Sequence, residues 1–261
     1  MIKFPPMNVS MTAELAIAYK SGSQSARVVT ESWGAQNLYC LNCSSPKLEC
    51  LARNTEAHDF QCPACGGFYQ LKSQRTPFRN SIADGAYNAM MKAIANDQTP
   101  NFYFMQYDLA SWSVLNLLLV PHFAFPPSAI IKRKPLSPTA RRAGWVGCFF
   151  ALNRIPAEAR IAIIADKKIA SATEVRDRFR RVKPLERISV DQRGWALDVL
   201  NIVQRLGKSV FANGDVYAFE RELEKLHPDN RHVRDKIRQQ LQVLRDSGFL
   251  IQPGRGMWQL R

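Results

Sequence analysis

Six cysteines in a chain of 261 residues fall into an uneven pattern. Cys40 and Cys43 form one C-x2-C pair, Cys62 and Cys65 a second, and Cys50 and Cys148 are left over. Two such pairs separated by eighteen residues have the spacing of a four-thiolate Zn²⁺ site. Four sulfur ligands leave no coordination position open, so a zinc ion there is structural. The alternatives are a redox dithiol or two uncoordinated pairs, and the spacing favours the metal. Cys50 and Cys148 read as ordinary buried thiols.

A second set of residues is superimposed on the first. Asp59 stands just before the second cysteine pair, and Gln70, Leu71 and Lys72 stand just after it. Residues 70 and 72 are two apart, so on a strand they share a face. Phosphodiester hydrolysis needs a divalent cation to bind the phosphate and activate water. The Asp59 carboxylate, the Gln70 side-chain oxygen and the Leu71 carbonyl are hard oxygen donors suited to Mg²⁺. Lys72 can then orient the water or offset charge in the transition state. A bare D…QxK is a weak motif, and a surface lysine beside a solvated glutamine is the bland reading. The placement across a zinc-closed turn joining two strands favours the nuclease reading.

The charge balance points to a polyanionic partner. The net charge is +14 and the pI about 9.8, while the 46% hydrophobic content is ordinary for a globular protein. Between Lys132 and Arg187 there are fifteen Lys/Arg against five Asp/Glu. Arg141, Arg142 and Trp145 lie in that stretch, where an indole beside two guanidinium groups can serve either a core or a DNA-facing loop. No stretch approaches the ~18 apolar residues of a membrane span. The cysteine pattern is too sparse for a secreted disulfide framework. Nor does the N-terminal M-I-K-F-P-P-M-N resemble a signal peptide, so a reducing cytoplasm is expected.

The elements that must position these groups follow from periodicity. Residues 1–10 read as a loose arm, residues 12–19 and 23–34 as helices with Ser23 as a cap, and residues 68–72 as a strand. Residues 81–96 read as a helix with Ile82, Ala86, Met90 and Ile94 on one face. Strands are expected over residues 101–107, 112–120, 130–134, 145–152 and 160–165, with 114–120 buried at the centre of a mixed sheet. Residues 174–182 read as a basic helix and 183–190 as a linker. Three helices follow, over 193–206, 214–226 and 230–246, the first with a stripe of Trp195, Val199, Ile202 and Leu206. Strands over 249–252 and 257–260 then flank Pro253-Gly254-Arg255-Gly256, which makes a winged helix-turn-helix. In its third helix Val233, Ile237, Leu241 and Leu244 face a core. Arg231, His232, Asp235, Arg238 and Gln239 face outward, with Arg255 on the wing, as candidates to contact DNA. The division is therefore residues 1–187, an α/β domain, and residues 188–261, an α+β winged-helix domain.

The chain resembles the DpnI-type restriction endonucleases, which cut adenine-methylated G-A-T-C. The matching pieces run in order along nearly the whole chain. They include S-Q-S-A-R (23–27), D-F-x-C-x-x-C (59–65), L-K-S (71–73), D-G-A-Y-x-x-M-M (84–91), R-K-P-L-x-P-T-A-R-R-A-G-W (133–145), I-R-Q-Q-L-Q-V-L-R-D (237–246) and G-R-G (254–256). The resemblance implies a PD-(D/E)xK nuclease domain with a zinc insertion, a C-terminal winged helix, and binding of methylated double-stranded DNA by both. It implies a Mg²⁺-dependent type II site-specific deoxyribonuclease of a prokaryotic cytoplasm, expected to be a monomer. One departure stands out: the family pattern has Glu two residues before the lysine, and this chain has Gln70. Glu31 is the candidate to supply a missing carboxylate, with Asp84 a lesser one. The alternatives are a catalytically impaired reader of methylated G-A-T-C and a zinc-ribbon regulator indifferent to methylation.

Overall fold

A computed structural model describes residues 7–52, 58–78 and 81–261 of the chain. Residues 1–6, part of the arm expected over 1–10, lie outside that description. A 3-10 turn at Ala13–Ala16 leads into α1 (Gly22–Asn37), β1 (Glu49–Cys50), β2 (Phe60–Gln61) and β3 (Phe68–Gln74). Then come β4 (Ser81–Ala86), α2 (Tyr87–Ala95), β5 (Asn101–Asp108), β6 (Ser113–Val120), β7 (Ile130–Lys132), β8 (Gly147–Ala151), β9 (Ile161–Ala165) and β10 (Lys168–Ile169). The rest is α3 (Ala172–Val182), α4 (Val190–Arg205), β11 (Val210–Ala212), α5 (Asn213–Tyr217), α6 (Glu220–Leu226), α7 (Val233–Asp246), β12 (Leu250–Gly254) and β13 (Met257–Leu260). No helix among the described residues is long and apolar enough to cross a membrane.

The elements group into two units that do not follow chain order. The first takes the described residues of Met1–Arg79, Pro100–His122 and Ala159–Arg181. Its sheet has the order β1-β2-β3-β5-β6-β9-β10. All neighbours are antiparallel except β3 and β5, where Gln70 pairs with Phe102 and Lys72 with Phe104. Seven of the eight residues of β5 are buried, as a strand covered on both faces requires. β6 sits between β5 and β9, in the interior position its apolar run implied.

The second unit takes the described residues of Asn80–Thr99, Phe123–Glu158 and Val182–Arg261. It holds a sheet of order β4-β8-β7 and the wing, β11-β13-β12. Its centre is α4, which is not the one-striped helix its sequence suggested: every residue from Trp195 to Val203 is buried. The polar members are satisfied locally. Asp198 accepts from Ser128 Oγ at 2.5 Å and lies 2.8 Å from His227 Nε2. Asn201 donates to the carbonyls of Asn153 and Ile155.

Several expectations are corrected. Residues 81–96 are not one helix. Residues 81–86 alternate and pair with β8, burying Ile82 between neighbours that face away, so sheet pairing overrides the helical spacing. Only four residues of 12–19 are helical, and Ile17 is 84% exposed, so that segment has no buried face to stabilise it. The helix expected over 214–226 is broken into α5 and α6. Residues 183–187 form a 3-10 helix with Leu185 buried, where a linker was expected. The N-cap of α1 is Ser21, not Ser23, with no side-chain capping bond. Cys50 is exposed on β1, while Cys148 is buried as expected.

Gln240 is fully buried on α7, and neither its amide nitrogen nor its amide oxygen has a hydrogen-bond partner among the described residues. A buried polar group without partners costs about 1–3 kcal/mol. Gln240→Met should therefore raise the urea midpoint of unfolding, by about 1 kcal/mol in stability. A lowered midpoint would show that the amide is satisfied after all.

Candidate nucleic-acid interface and metal-ligating cluster

Cys40, Cys43, Cys62 and Cys65 converge, with their sulfur atoms all within 4.8 Å of one another. Cys40 and Cys65 lie 3.6 Å apart, and Cys43 and Cys62 3.5 Å. A tetrahedral zinc ion with bonds of about 2.3 Å sets sulfur spacings of roughly 3.8 Å, so the cluster has the dimensions to hold that metal. The donor set agrees. Ser45 N–H points to Cys43 Sγ at 3.4 Å, and Tyr69 Oη lies 3.1 Å from Cys40 Sγ. Burial pushes the Cys62 thiol up, but hydrogen bonds from the amides of Cys65 and Ala64 and from the Cys43 and Cys65 side chains together bring the group down to about 7. Gly66, at φ 73°, supplies the left-handed turn that lets the C-P-A-C loop fold back, with its N–H on the Cys62 carbonyl.

This loop is the turn between β2 and β3, and the hairpin it closes carries the other constellation. Asp59 N–H donates to the Tyr69 carbonyl at 3.0 Å, and Asp59 Oδ2 accepts from Leu71 N–H at 2.8 Å. A strand residue presents its N–H and C=O on the same edge, so the Leu71 carbonyl opens on the Asp59 side. Gln70 and Lys72 alternate with Leu71 on β3, and the Lys72 ammonium sits 5.9 Å from the Phe102 ring centroid.

Helix α1 brings a second carboxylate to this edge. A Cβ at Gly34 would stand 2.8 Å from Phe60 Cζ and 3.5 Å from Leu71 Cδ2, so only glycine allows α1 this close to the hairpin. One turn earlier, Glu31 is held by Arg27 Nε at 2.6 Å. Burial raises the Asp59 pKa above the ordinary carboxylate range; the Leu71 amide pulls it down, Glu31 pushes it up, and Lys72 and Arg27 oppose. Asp59 is thus brought near Leu71, Glu31 and Lys72, while Lys72 and Gln70 share the face of β3 opposite Leu71. Asp84 belongs to β4 of the second unit, with its carboxylate 3.9 Å from Cys148 Sγ.

Two participants escaped the sequence reading. The i,i+4 spacing of Arg27 and Glu31 was legible and could have shown their pairing. Arg176 on α3 gave no such signal. It donates to the carbonyls of Cys40 and Ser45 and stacks on Tyr39, clamping the first cysteine loop from 136 residues away.

In the second unit α7 presents the two faces its period implies. Val233, Ile237, Leu241 and Leu244 are buried, and Arg231, His232, Asp235, Arg238 and Gln239 are exposed. Asp235 and Arg238 form an ion pair on that open face. Arg255 is exposed at the tip of the wing, where Gly256 has φ 72°. Asn213 anchors the wing by accepting from Trp258 Nε1 at 2.7 Å. Arg141 and Arg142 are exposed in the loop between β7 and β8, and Trp145 is half-buried. The Arg142 guanidinium lies 4.7 Å from the Trp145 ring centre, and a Cβ at Gly147 would meet the far edge of that ring at 2.7 Å.

A mixed-sheet unit with a four-cysteine cluster and a unit with a winged helix-turn-helix are the parts of a DNA-binding protein, and the family matches support recognition of restriction type. The chain belongs to the DpnI family. The model described as the Dam-replacing family matches residues 7–188, and the one described as the Dam-replacing HTH domain matches residues 191–260.

The raised pKa of Asp59 has a consequence for stability. A carboxyl whose folded pKa lies above its unfolded one contributes stability below the unfolded pKa, which is lost as pH rises through the folded pKa. At neutral pH ionised Asp59 therefore costs stability. Asp59→Asn should raise the urea midpoint at neutral pH without Mg²⁺, and the gain should shrink toward pH ~4. An equal gain at both pH values would mean that burial of the charge is not the cause.

Proposed function

We propose that this chain is a Mg²⁺-dependent endonuclease of the PD-(D/E)xK type that cuts double-stranded DNA at adenine-methylated G-A-T-C. One observation carries the reading: Asp59, on a hairpin closed by the four-cysteine cluster, is held by the Leu71 amide and lies within electrostatic reach of both Lys72 and Glu31. Zinc in that cluster would be structural. Asp59, Glu31, the Leu71 carbonyl and the Gln70 side-chain oxygen would hold the catalytic Mg²⁺, hard oxygen donors that suit it. When bound, that ion supplies electrophilic activation of the phosphate and a more acidic water. Asp59 is kept aligned by the Leu71 amide, and Lys72 provides a cation for the charge that develops on the phosphate oxygens. Residues 1–187 would carry this chemistry and residues 188–261 the winged-helix reading of DNA, in a monomer of the prokaryotic cytoplasm.

Gln70 favours a second reading. An amide in place of a carboxylate leaves the centre one negative charge short, as in a protein that binds methylated G-A-T-C without cutting it. Plasmids with and without adenine methylation, incubated with the protein and Mg²⁺, separate the two. Cutting of the methylated plasmid alone supports the endonuclease. Binding without cutting, restored to cutting by Gln70→Glu, supports the reader. Lys72→Ala should abolish cleavage with little change in affinity, since its charge acts on the transition state more than on ground-state binding. Full cleavage by that variant would remove Lys72 from the centre.

Arg231, His232, Asp235, Arg238, Gln239 and Arg255 would contact DNA from α7 and the wing, and Arg141 and Arg142 from the β7–β8 loop. The N6-methyl group adds an apolar surface in the major groove, which only an apolar contact can read. Trp145 is half-exposed and wedged between Arg142 and Gly147, so its ring is fixed in place. Trp145→Ala should narrow the affinity gap between methylated and unmethylated G-A-T-C by ~1–2 kcal/mol. Arg141→Ala should weaken both about equally. Equal losses for Trp145→Ala would make the ring structural and place methyl recognition elsewhere.

A further inference from the structure

A cleft of about 660 Å³ in the first unit begins at Glu31 and Leu71 and runs beside α1 to the turn between β5 and β6. The chemistry above uses only its near end. At the far end stand Arg75, Tyr107, Leu109 and Trp112. The Tyr107 and Trp112 rings stack with centroids 5.8 Å apart and planes at 10°. Tyr107 is buried beneath, so Trp112 is the half-exposed surface of the pair, with Leu109 an exposed apolar rim beside it.

The backbone there is strained. Trp112 has φ 43°, a left-handed conformation that a bulky side chain adopts only when its surroundings impose it. Those surroundings are visible. Met11 N–H donates to the Trp112 carbonyl at 2.8 Å, and Val114 N–H donates to the Val9 carbonyl at 2.8 Å. Asp108 Oδ2 closes the turn by accepting from Ser111 N–H at 2.8 Å. The indole is thus held at the cleft, not in the core.

The charge beside it is available. Arg75 is exposed just past the end of β3 and makes no ion pair among the described residues, whereas Arg27 is taken up by Glu31. Arg75 is near enough to Tyr107 for its charge to oppose the upward push that burial gives that hydroxyl. A cation beside an exposed aromatic face is how proteins hold a nucleic-acid strand without reading its sequence: the cation takes a phosphate and the ring takes sugar or base. β3 rises about 3.3 Å per residue, so Arg75 stands roughly 13 Å from Leu71, a span of a nucleotide or two along a strand.

We propose that this cleft grips the DNA strand next to the cut, with Arg75 on a flanking phosphate and Trp112 and Leu109 against the neighbouring sugar and base edge. The proposal rests on the endonuclease reading, because it takes the scissile phosphate to lie at Asp59 and Glu31.

The test is phosphate interference in Ca²⁺, with methylated G-A-T-C duplexes carrying one neutral methylphosphonate at each position in turn. For the natural protein, one position beside the cut should cost about tenfold in affinity, the effect of a single charge-assisted contact. In Arg75→Gln that position should become silent while the rest of the profile stands, and the slope of log affinity against log salt should fall by about one. Leu109→Asp, a change at an exposed site, should weaken binding and leave the Arg75-dependent position in place. An Arg75→Gln profile identical to that of the natural protein overturns the proposal alone. A natural protein that binds none of these duplexes overturns the functional reading and the proposal together.

Discussion

Four sulfur atoms within 4.8 Å of one another close a hairpin whose first strand is two residues long. That constraint is what the candidate site depends on. Two residues of β2 pair with β3 over Phe60–Tyr69 and Gln61–Phe68 only, far too little ladder to hold a register unaided. The thiolate cluster supplies the missing closure at one end, and Arg176 fixes the facing loop through the carbonyls of Cys40 and Ser45. Asp59 sits at the other end, where its side chain takes over the hydrogen bond to the Leu71 amide. A loosened cluster would therefore be felt directly at Asp59.

The electrostatics of this edge run against stability. Asp59 is drawn toward its neutral form by burial and by Glu31, and the cations Lys72 and Arg27 only partly offset that. A protein selected for stability alone would not keep two carboxylates there. Under the endonuclease reading a bound cation would attract both carboxylates and so offset their mutual repulsion. Gln70, half-buried on β3, adds no further negative charge near these carboxylates.

The second unit solves a different problem. A winged helix of about seventy residues has a small core, and α4 is buried on every side from Trp195 to Val203. Its polar groups are covered by Ser128, Asn153 and Ile155, which come from well before the winged helix in sequence. Within this unit the segment Phe123–Glu158 is thus part of the packing around the winged helix, and it also carries the Trp145 loop.

What could be read from the chain alone was whatever is local. The C-x2-C pairs, the alternation of Gln70 and Lys72, the apolar run of β6 and the two faces of α7 are spacings of a few residues. Backbone geometry converts such spacings into shared faces without help from the rest of the molecule. The family was legible for a related reason, since its matching runs are colinear. Tertiary structure decided the rest. Residues 81–86 became a strand because β8 was there to pair with them, and α4 lost its solvent face because distant segments covered it. Glu31 reaches Asp59 only because Gly34 lets α1 approach Phe60, and Arg176 meets the first cysteine loop across 136 residues. Cys50 remained exposed because its two-residue strand lies at the sheet's edge. Contacts between segments far apart in the chain leave no periodic mark on either one, so only the folded packing could disclose them.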